Sequence, residues 1–377
     1  MTSTTARRRS VTVPWRAPLA AAVALAVAYF VILGGILADP SQHLTFGDAI
    51  PQAQAQFVNA VTIGAIYALI ALGYTMVYGI VKLINFAHGD VFMVGAFTSY
   101  FAVSRFGLHK WPAMAFPGMS AGLSIVIGSV TVIILSMIVC TLLAVTIERV
   151  AYKPLRDAPR IAALITAIGV SFFLEYFGNL QFVYTARFIP YKSPFDTVAW
   201  YISGGIHRIM PGVETPSNSI TFSNIFLIIM AVSILVQILL QFIVRRTKIG
   251  MAMRASSFDK PTARLMGINV DRVISFTFAI GAAFAGLGGV LYAISYASIT
   301  PILGIIPGLK AFVAAVLGGI GSIPGAFVGA LIMGQAEVLT AGYISTPMRD
   351  AVAFTILIIV LLVKPTGIFG EPSGEKA

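Results

Sequence analysis

The sequence predicts an all-α polytopic integral membrane protein, a bundle of about 8–10 transmembrane helices with a re-entrant or broken-helix segment. Three observations predict it. Over 377 residues the chain is 58% hydrophobic and 10% charged, where soluble domains carry about 25% charged residues, and its mean hydropathy is +0.91. The apolar residues fall in runs near the roughly 20 residues that cross a ~30 Å hydrocarbon core. Those runs are rich in Leu, Ala, Gly and Ile without strict alternation. In lipid the backbone must satisfy its own hydrogen bonds, and that pattern selects helices over a barrel.

Eight spans follow in order, at about 19–38, 55–81, 86–104, 119–147, 161–183, 222–244, 273–296 and 350–363. The first comes after Arg7, Arg8, Arg9 and Arg16. It is longer than the apolar core of a cleaved signal and has Ile36 where a small residue is preferred, so it reads as an uncleaved helix rather than a leader removed after Ala38. Between the last two spans, residues 305–341 are apolar but interrupted by LGGIGSIPG, which fits a re-entrant hairpin or two further helices. The loop from Thr185 to Thr221 carries Pro190, Pro194, Pro211 and Pro216 together with Trp200; it reads as interfacial aromatics or as a surface for an external partner. Small residues four apart (Ala71, Thr75, Gly79; Gly281, Ala285, Gly289; Ala326, Ala330, Gly334) let helices approach closely in lipid.

Charge placement sets the threading. The net charge is +11, which on a soluble protein would suggest nucleic acid. With the N-terminus inside, however, segments 1–18, 82–85, 148–160, 245–272 and 364–377 all fall on the cytoplasmic side and hold most of the 25 lysines and arginines. The positive-inside rule requires that asymmetry, so both termini are expected in the cytoplasm and the partner of the positive charge is the lipid bilayer, with no nucleic acid. The lone Cys140 excludes an intrachain disulfide, and four scattered histidines (43, 88, 109, 207) argue against a metal site.

Three segments carry functional signal. In GYTMVYGIVKLINFAHGD, residues 73–90, an apolar helix ends at Val81 and Asn85, His88 and Asp90 gather around Gly89. Polar groups at such a place mark a pathway, or Asn85 or Asp90 caps a helix in a cytoplasmic turn. In KAFVAAVLGGIGSIPGAFVGA, residues 310–330, Gly318, Gly319, Gly321 and Gly325 with Pro324 are expected to break a helix at membrane depth. Non-helical backbone belongs there only where it is buried or lines a cavity, and a helix restarting after Ser322 would aim its positive end at the break. A plain hairpin turn is the simpler reading. In TKIGMAMRASSFDKPTARLMGINVDRV, residues 247–273, Ser257 or Asp259 is placed to cap a short helix near Pro261 that stops at Gly267. Apolar Phe258, Leu265 and Met266 alternate there with Arg254, Lys260 and Arg264; such a helix transmits force from a cytoplasmic partner or lies on anionic lipid.

The segments INFAHGD, IERVAYKPLR, GMAMRAS with ARLMGINVDRVISFTF, GLKAFVAAVLGGIGSIPGA and LLVKPTGIFG, in that order, resemble the permease of the branched-chain amino acid ABC importer family, the LivH type. The likeness runs from about Gln52 to Gly370, leaving residues 1–51 as a basic segment with an extra helix and 371–377 as a tail. It implies a subunit of the bacterial cytoplasmic membrane that assembles with a second homologous permease, two cytoplasmic ABC ATPases and an external solute-binding protein. It implies that Asn85, His88, Gly89, Asp90, Gly318, Gly319, Gly321 and Ser322 line or gate the path. It implies that Arg254, Ser257, Asp259, Ala263, Arg264 and Gly267 form the coupling helix, and that the solute is leucine, isoleucine or valine, with urea and other amides among sister permeases. No cofactor is expected on this chain: GGIGSIPGAF lacks the Gly-Lys-Ser/Thr ending of a P-loop, so ATP and magnesium belong to the partner ATPases.

Two other classes compete. Glu175, Glu337 and Lys310 inside apolar runs would suit an ion-driven carrier. An intramembrane enzyme using His88 with Asp90 is disfavoured, because residues two apart on a helix face different sides and no Ser or Cys stands in an activated context.

Overall fold

A computed structural model describes residues 16–38, 46–156, 158–202, 205–209 and 219–370. Arg7, Arg8, Arg9, His43, Pro211, Pro216 and the tail 371–377 lie outside the described residues. The helices are α1 (Arg16–Ala38), α2 (Phe46–Val81), α3 (His88–Tyr100), α4 (Trp111–Ala115), α5 (Ala121–Ile147), α6 (Arg160–Gly178), α7 (Asn224–Arg246), α8 (Lys248–Phe258), α9 (Lys260–Leu265), α10 (Val270–Tyr296), α11 (Ile305–Gly318), α12 (Ile323–Tyr343) and α13 (Arg349–Val363). Among the described residues seven helices are long and apolar enough to cross a membrane. An eighth candidate is the run His88–Arg105, bent by 64° from Leu108–Ala115. This is the all-α polytopic architecture that the apolar runs predict.

α2 is the axis of the bundle. Its apolar stretch is wholly buried, and α1, α7, α10, α11 and α12 pack around it. It starts earlier than residue 55 because Ala49 and Ala53 bury against Ile32, Leu33 and Ile36 of α1, which extends the helix through Pro51. The small-residue stripes sit at the crossings, as expected: a Cβ on Gly334 of α12 would lie 2.4 Å from the carbonyl oxygen of Ala60 in α2. α5, α6, α7 and α13 are peripheral and expose Leu142, Phe173, Leu235 and Leu362, which in hydrocarbon carries no hydrophobic penalty.

Contacts sort the connections to two ends. At one end, Lys260 reaches Val81, Arg156 reaches Asp271, and the backbone N–H groups of Ile368 and Phe369 donate to Leu317 O (2.9 Å) and Gly318 O (3.0 Å). This is the basic end. At the other, β1 (Ile189–Pro190) pairs antiparallel with β5 (Ser298–Ile299), and β2 (Ala199–Ile202) is the middle strand between β3 (Ile206–Arg208) and β4 (Ile220–Ser223). The Pro-rich loop is thus partly a small sheet. Trp200 stacks on its cross-strand partner Phe222 at 5.9 Å.

The glycine-rich break also lies elsewhere than expected. Residues 305–343 do form a helical hairpin, but its turn is at the basic end and not at membrane depth. α12 has 21 residues, about 31 Å at 1.5 Å per residue, so its first turn falls at an end of the bundle. There Gly319 (φ +105°) and Gly321 (φ +97°) take backbone shapes open to glycine, and the 366–370 backbone covers the last carbonyls of α11.

Candidate functional site

The interruption inside the bundle is at the α2–α3 junction. α2 stops at Lys82 in the left-handed region (φ +62°), residues 82–85 leave helical geometry, and α3 starts at His88. The His88 ring sits edge-on to Tyr74, 4.7 Å between centroids, and presses on Gly73, where a Cβ would be 2.2 Å from Nε2. Gly73 lies about 12 Å along α2 from Val81 at 1.5 Å per residue, so α3 begins well inside the bundle. No side chain caps its N-terminus. The capping role considered for Asn85 and Asp90 is therefore not what they do: Asn85 Oδ1 accepts from the Tyr152 hydroxyl at 2.6 Å, and Asp90 Oδ2 accepts from Ser171 Oγ at 2.5 Å.

A second helix starts at the same place. A Cβ on Gly89 would be 2.4 Å from Gly304 O, and one on Gly304 would be 2.4 Å from Gly89 O. The first turns of α3 and α11 thus meet backbone to backbone, bringing two positive helix ends together. Asp90 is 1% exposed, and the hydroxyl it shares lies 3.4 Å from Glu175 Oε1 of α6. Asp90 Oδ1, His88 Nε2 and Thr75 Oγ1 are buried with no hydrogen-bond partner among the described residues. Buried polar atoms are normally paired, so three unpaired ones on α2 and α3 set this junction apart from the rest of the bundle.

Asn85, His88, Gly89 and Asp90 therefore come together. Gly318, Gly319, Gly321 and Ser322 lie at the opposite end of α11 from Gly89, about 20 Å along its 14 residues, while Ile320 of their turn and Ile84 beside Asn85 line one small cavity with Tyr74 and Tyr78. Ser322 instead caps α12, accepting from Gly325 N at 3.3 Å. Tyr152, Ser171, Gly304 and Gly308 were missed, since they sit in apolar or loop sequence that takes meaning only from its distant partner. His88 and Asp90 turn to different helices, as their spacing predicts.

At the basic end Thr247 caps α8, accepting from Gly250 N at 3.0 Å. Asp259 caps α9, accepting from Thr262 N at 3.2 Å and from Thr262 Oγ1 at 2.6 Å. Gly267 (φ +81°) follows the end of α9. Three of the other coupling candidates make contacts within the chain. Ser257 is inside α8 and donates to Arg254 O at 2.8 Å, so it caps nothing. Ala263 faces inward among Val77, Val81, Tyr152 and Phe278. Arg254 folds back to donate to Val244 O at the end of α7. Outward-facing Phe258 (84% exposed), Leu265 (87%) and Met266 (78%) give this end an apolar tip.

The other intramembrane charges are matched. Lys310 Nζ lies 2.9 Å from Glu337 and 2.8 Å from Asp350, and the Tyr67 hydroxyl donates to Glu337 at 2.7 Å.

The profile of the family described as "Branched-chain amino acid transport system / permease component" matches residues 56–361. The chain is 43% identical over 321 residues to the high-affinity branched-chain amino acid transport system permease protein LivH of Escherichia coli (strain K12), covering 85% of this chain and 96% of that protein. It is 40% identical over 324 residues to the permease protein BraD of Pseudomonas aeruginosa, covering 85% and 97%. A more distant likeness, 24% over 343 residues, is to the permease protein LivM of Escherichia coli (strain K12), covering 85% and 74%. No solved structure matches the chain.

Proposed function

The chain belongs to the family of branched-chain amino acid transport permeases, and we propose that it is the membrane-spanning subunit of an ATP-driven importer for leucine, isoleucine and valine. In this reading an external binding protein delivers solute at the sheet-bearing end. A second, homologous permease completes the path, and two cytoplasmic ATPases holding ATP and magnesium sit beneath the basic end. Both termini are cytoplasmic, residues 52–370 are the permease unit, and this chain hydrolyses no nucleotide itself. The relatives named LivH and LivM support a pair of homologous permeases.

The observation that carries the reading is the α8–α9 tip. Phe258 at the end of α8, and Leu265 and Met266 at the end of α9, stand outward at the basic end, with α9 capped by Asp259 and followed by Gly267. Burying each such side chain stabilises an interface by about 1.5–3 kcal/mol, which suits a groove on a protein better than a lipid headgroup. The ion-driven alternative loses support because Lys310 and Glu337 are paired with each other rather than open to an ion.

The double substitution Leu265→Asp with Met266→Asp tests this directly. Both side chains point into water, so the bundle stays folded. The ATPase subunits should no longer copurify with the permease pair, and leucine uptake should fall at least tenfold, roughly what losing one buried side chain's 1.5–3 kcal/mol implies. Copurification and uptake at the parent level would refute docking at this tip.

A further inference from the structure

One hydrogen bond ties α9 to the near end of the segment between α2 and α3, and a second ties the turn after α5 to its far end. Lys260, the first residue of α9, donates from Nζ to Val81 O at 3.1 Å, placing a cation on the last carbonyls of α2 next to left-handed Lys82. Four residues on, Asn85 Oδ1 accepts from the Tyr152 hydroxyl at 2.6 Å. Tyr152 closes the turn Glu148–Tyr152 that follows α5, and this turn is clamped to the base of α10. Arg156 donates to both Glu148 and Asp271, Lys153 lies 3.3 Å from Asp271, and Ser275 donates to Glu148 at 2.6 Å. Arg264 of α9 approaches the same Asp271 at 3.9 Å.

Glu148 is fully buried. A buried carboxylate stripped of its partners is strongly destabilising, so this clamp holds as a unit. Apolar packing reinforces it: Ala263 of α9, Tyr152, Val81 and Phe278 share one cluster, with Leu83 and Phe86 of the connecting segment against it. The segment has little freedom to move independently, and beyond it the His88–Gly73 and Gly89–Gly304 contacts leave no slack. Tightly packed interiors transmit displacement instead of absorbing it.

We propose that Lys260 and Tyr152 are the positioning residues through which α9 moves the α2–α3 segment, so that a shift of α9 displaces the first turn of α3 against α11. This rests on the importer reading above, in which α9 carries the ATPase contact, and takes the α2–α3 junction as the gate of that importer.

The test uses the complete complex in proteoliposomes: this chain, its partner permease, the ATPases and leucine-loaded receptor. Tyr152→Phe removes a single oxygen and keeps the ring in its cluster; Lys260→Met removes the other grip. Each variant should retain copurifying ATPases and receptor-stimulated ATP hydrolysis while the leucine taken up per ATP hydrolysed falls at least fivefold. A thiol introduced by Leu83→Cys should change its labelling rate on adding ATP in the parent and not in Tyr152→Phe. Should Lys260→Met fail to assemble, Tyr152→Phe alone decides. A parent complex that responds to receptor, with both variants matching it in uptake per ATP and in labelling, overturns the linkage only. A parent complex with no receptor-stimulated hydrolysis overturns the importer reading and the linkage with it.

Discussion

Gly89→Ala is expected to impair transport severely. The new methyl would sit 2.4 Å from Gly304 O and 3.1 Å from Gly308 Cα, and both obstacles are backbone, so no side chain can rotate away. Overpacking a filled site costs about 1–3 kcal/mol. Here the strain falls between the first turns of α3 and α11 and forces apart the two helix starts that build the junction. Uptake should drop at least tenfold, the change that about 1.4 kcal/mol produces. Gly304→Ala, which meets Gly89 O at 2.4 Å, should behave alike, whereas Gly118→Ala, with nothing within 4 Å, should transport normally. Uptake assays on the three variants at matched expression check this. Normal transport by Gly89→Ala would mean that the two helix starts are not held together in the working protein.

Lys310→Met is expected to be the most destabilising single change. Lys310 is buried between Glu337 and Asp350, and its loss leaves Glu337 with the Tyr67 hydroxyl and with Arg349 at 3.9 Å. Removing one partner of a buried pair costs about 3–5 kcal/mol, and the nearby Arg349 places this case toward the lower figure. Adding Glu337→Gln removes the stranded anion and should recover roughly half of the loss, since a buried ion pair contributes little net stability once both charges are gone. Thermal unfolding of the detergent-solubilised chain measures both variants. A double variant less stable than Lys310→Met alone would contradict the pairing.

What the sequence makes legible here follows from the range of the physics involved. Long apolar runs place the spans, because bilayer thickness acts on each run separately. Asp259 and Gly267 are readable as cap and stop because capping is local, within three or four residues. The inward face of Ala263 is not readable: a helix of six residues has too few turns for periodicity to orient it. Gly319 and Gly321 announce a break, but its depth depends on the length of α12 and on the returning 366–370 backbone. The same holds for α3, whose start inside the bundle is decided by Gly73, Gly89 and Gly304, three residues far apart in sequence. Strands of three or four residues such as β2 and β3 carry no usable alternation, and the prolines around them read as loop.

In the proposed importer this chain supplies a gated path and its driving force comes from an ATPase attached below. Leucine accumulation in proteoliposomes separates this from self-driven transport, comparing the chain alone under an imposed proton or sodium gradient with the full complex given ATP and receptor. Accumulation is expected only in the full complex and is lost when the ATPases are omitted. Accumulation by the isolated chain, or ATP hydrolysis by it, would refute the importer reading.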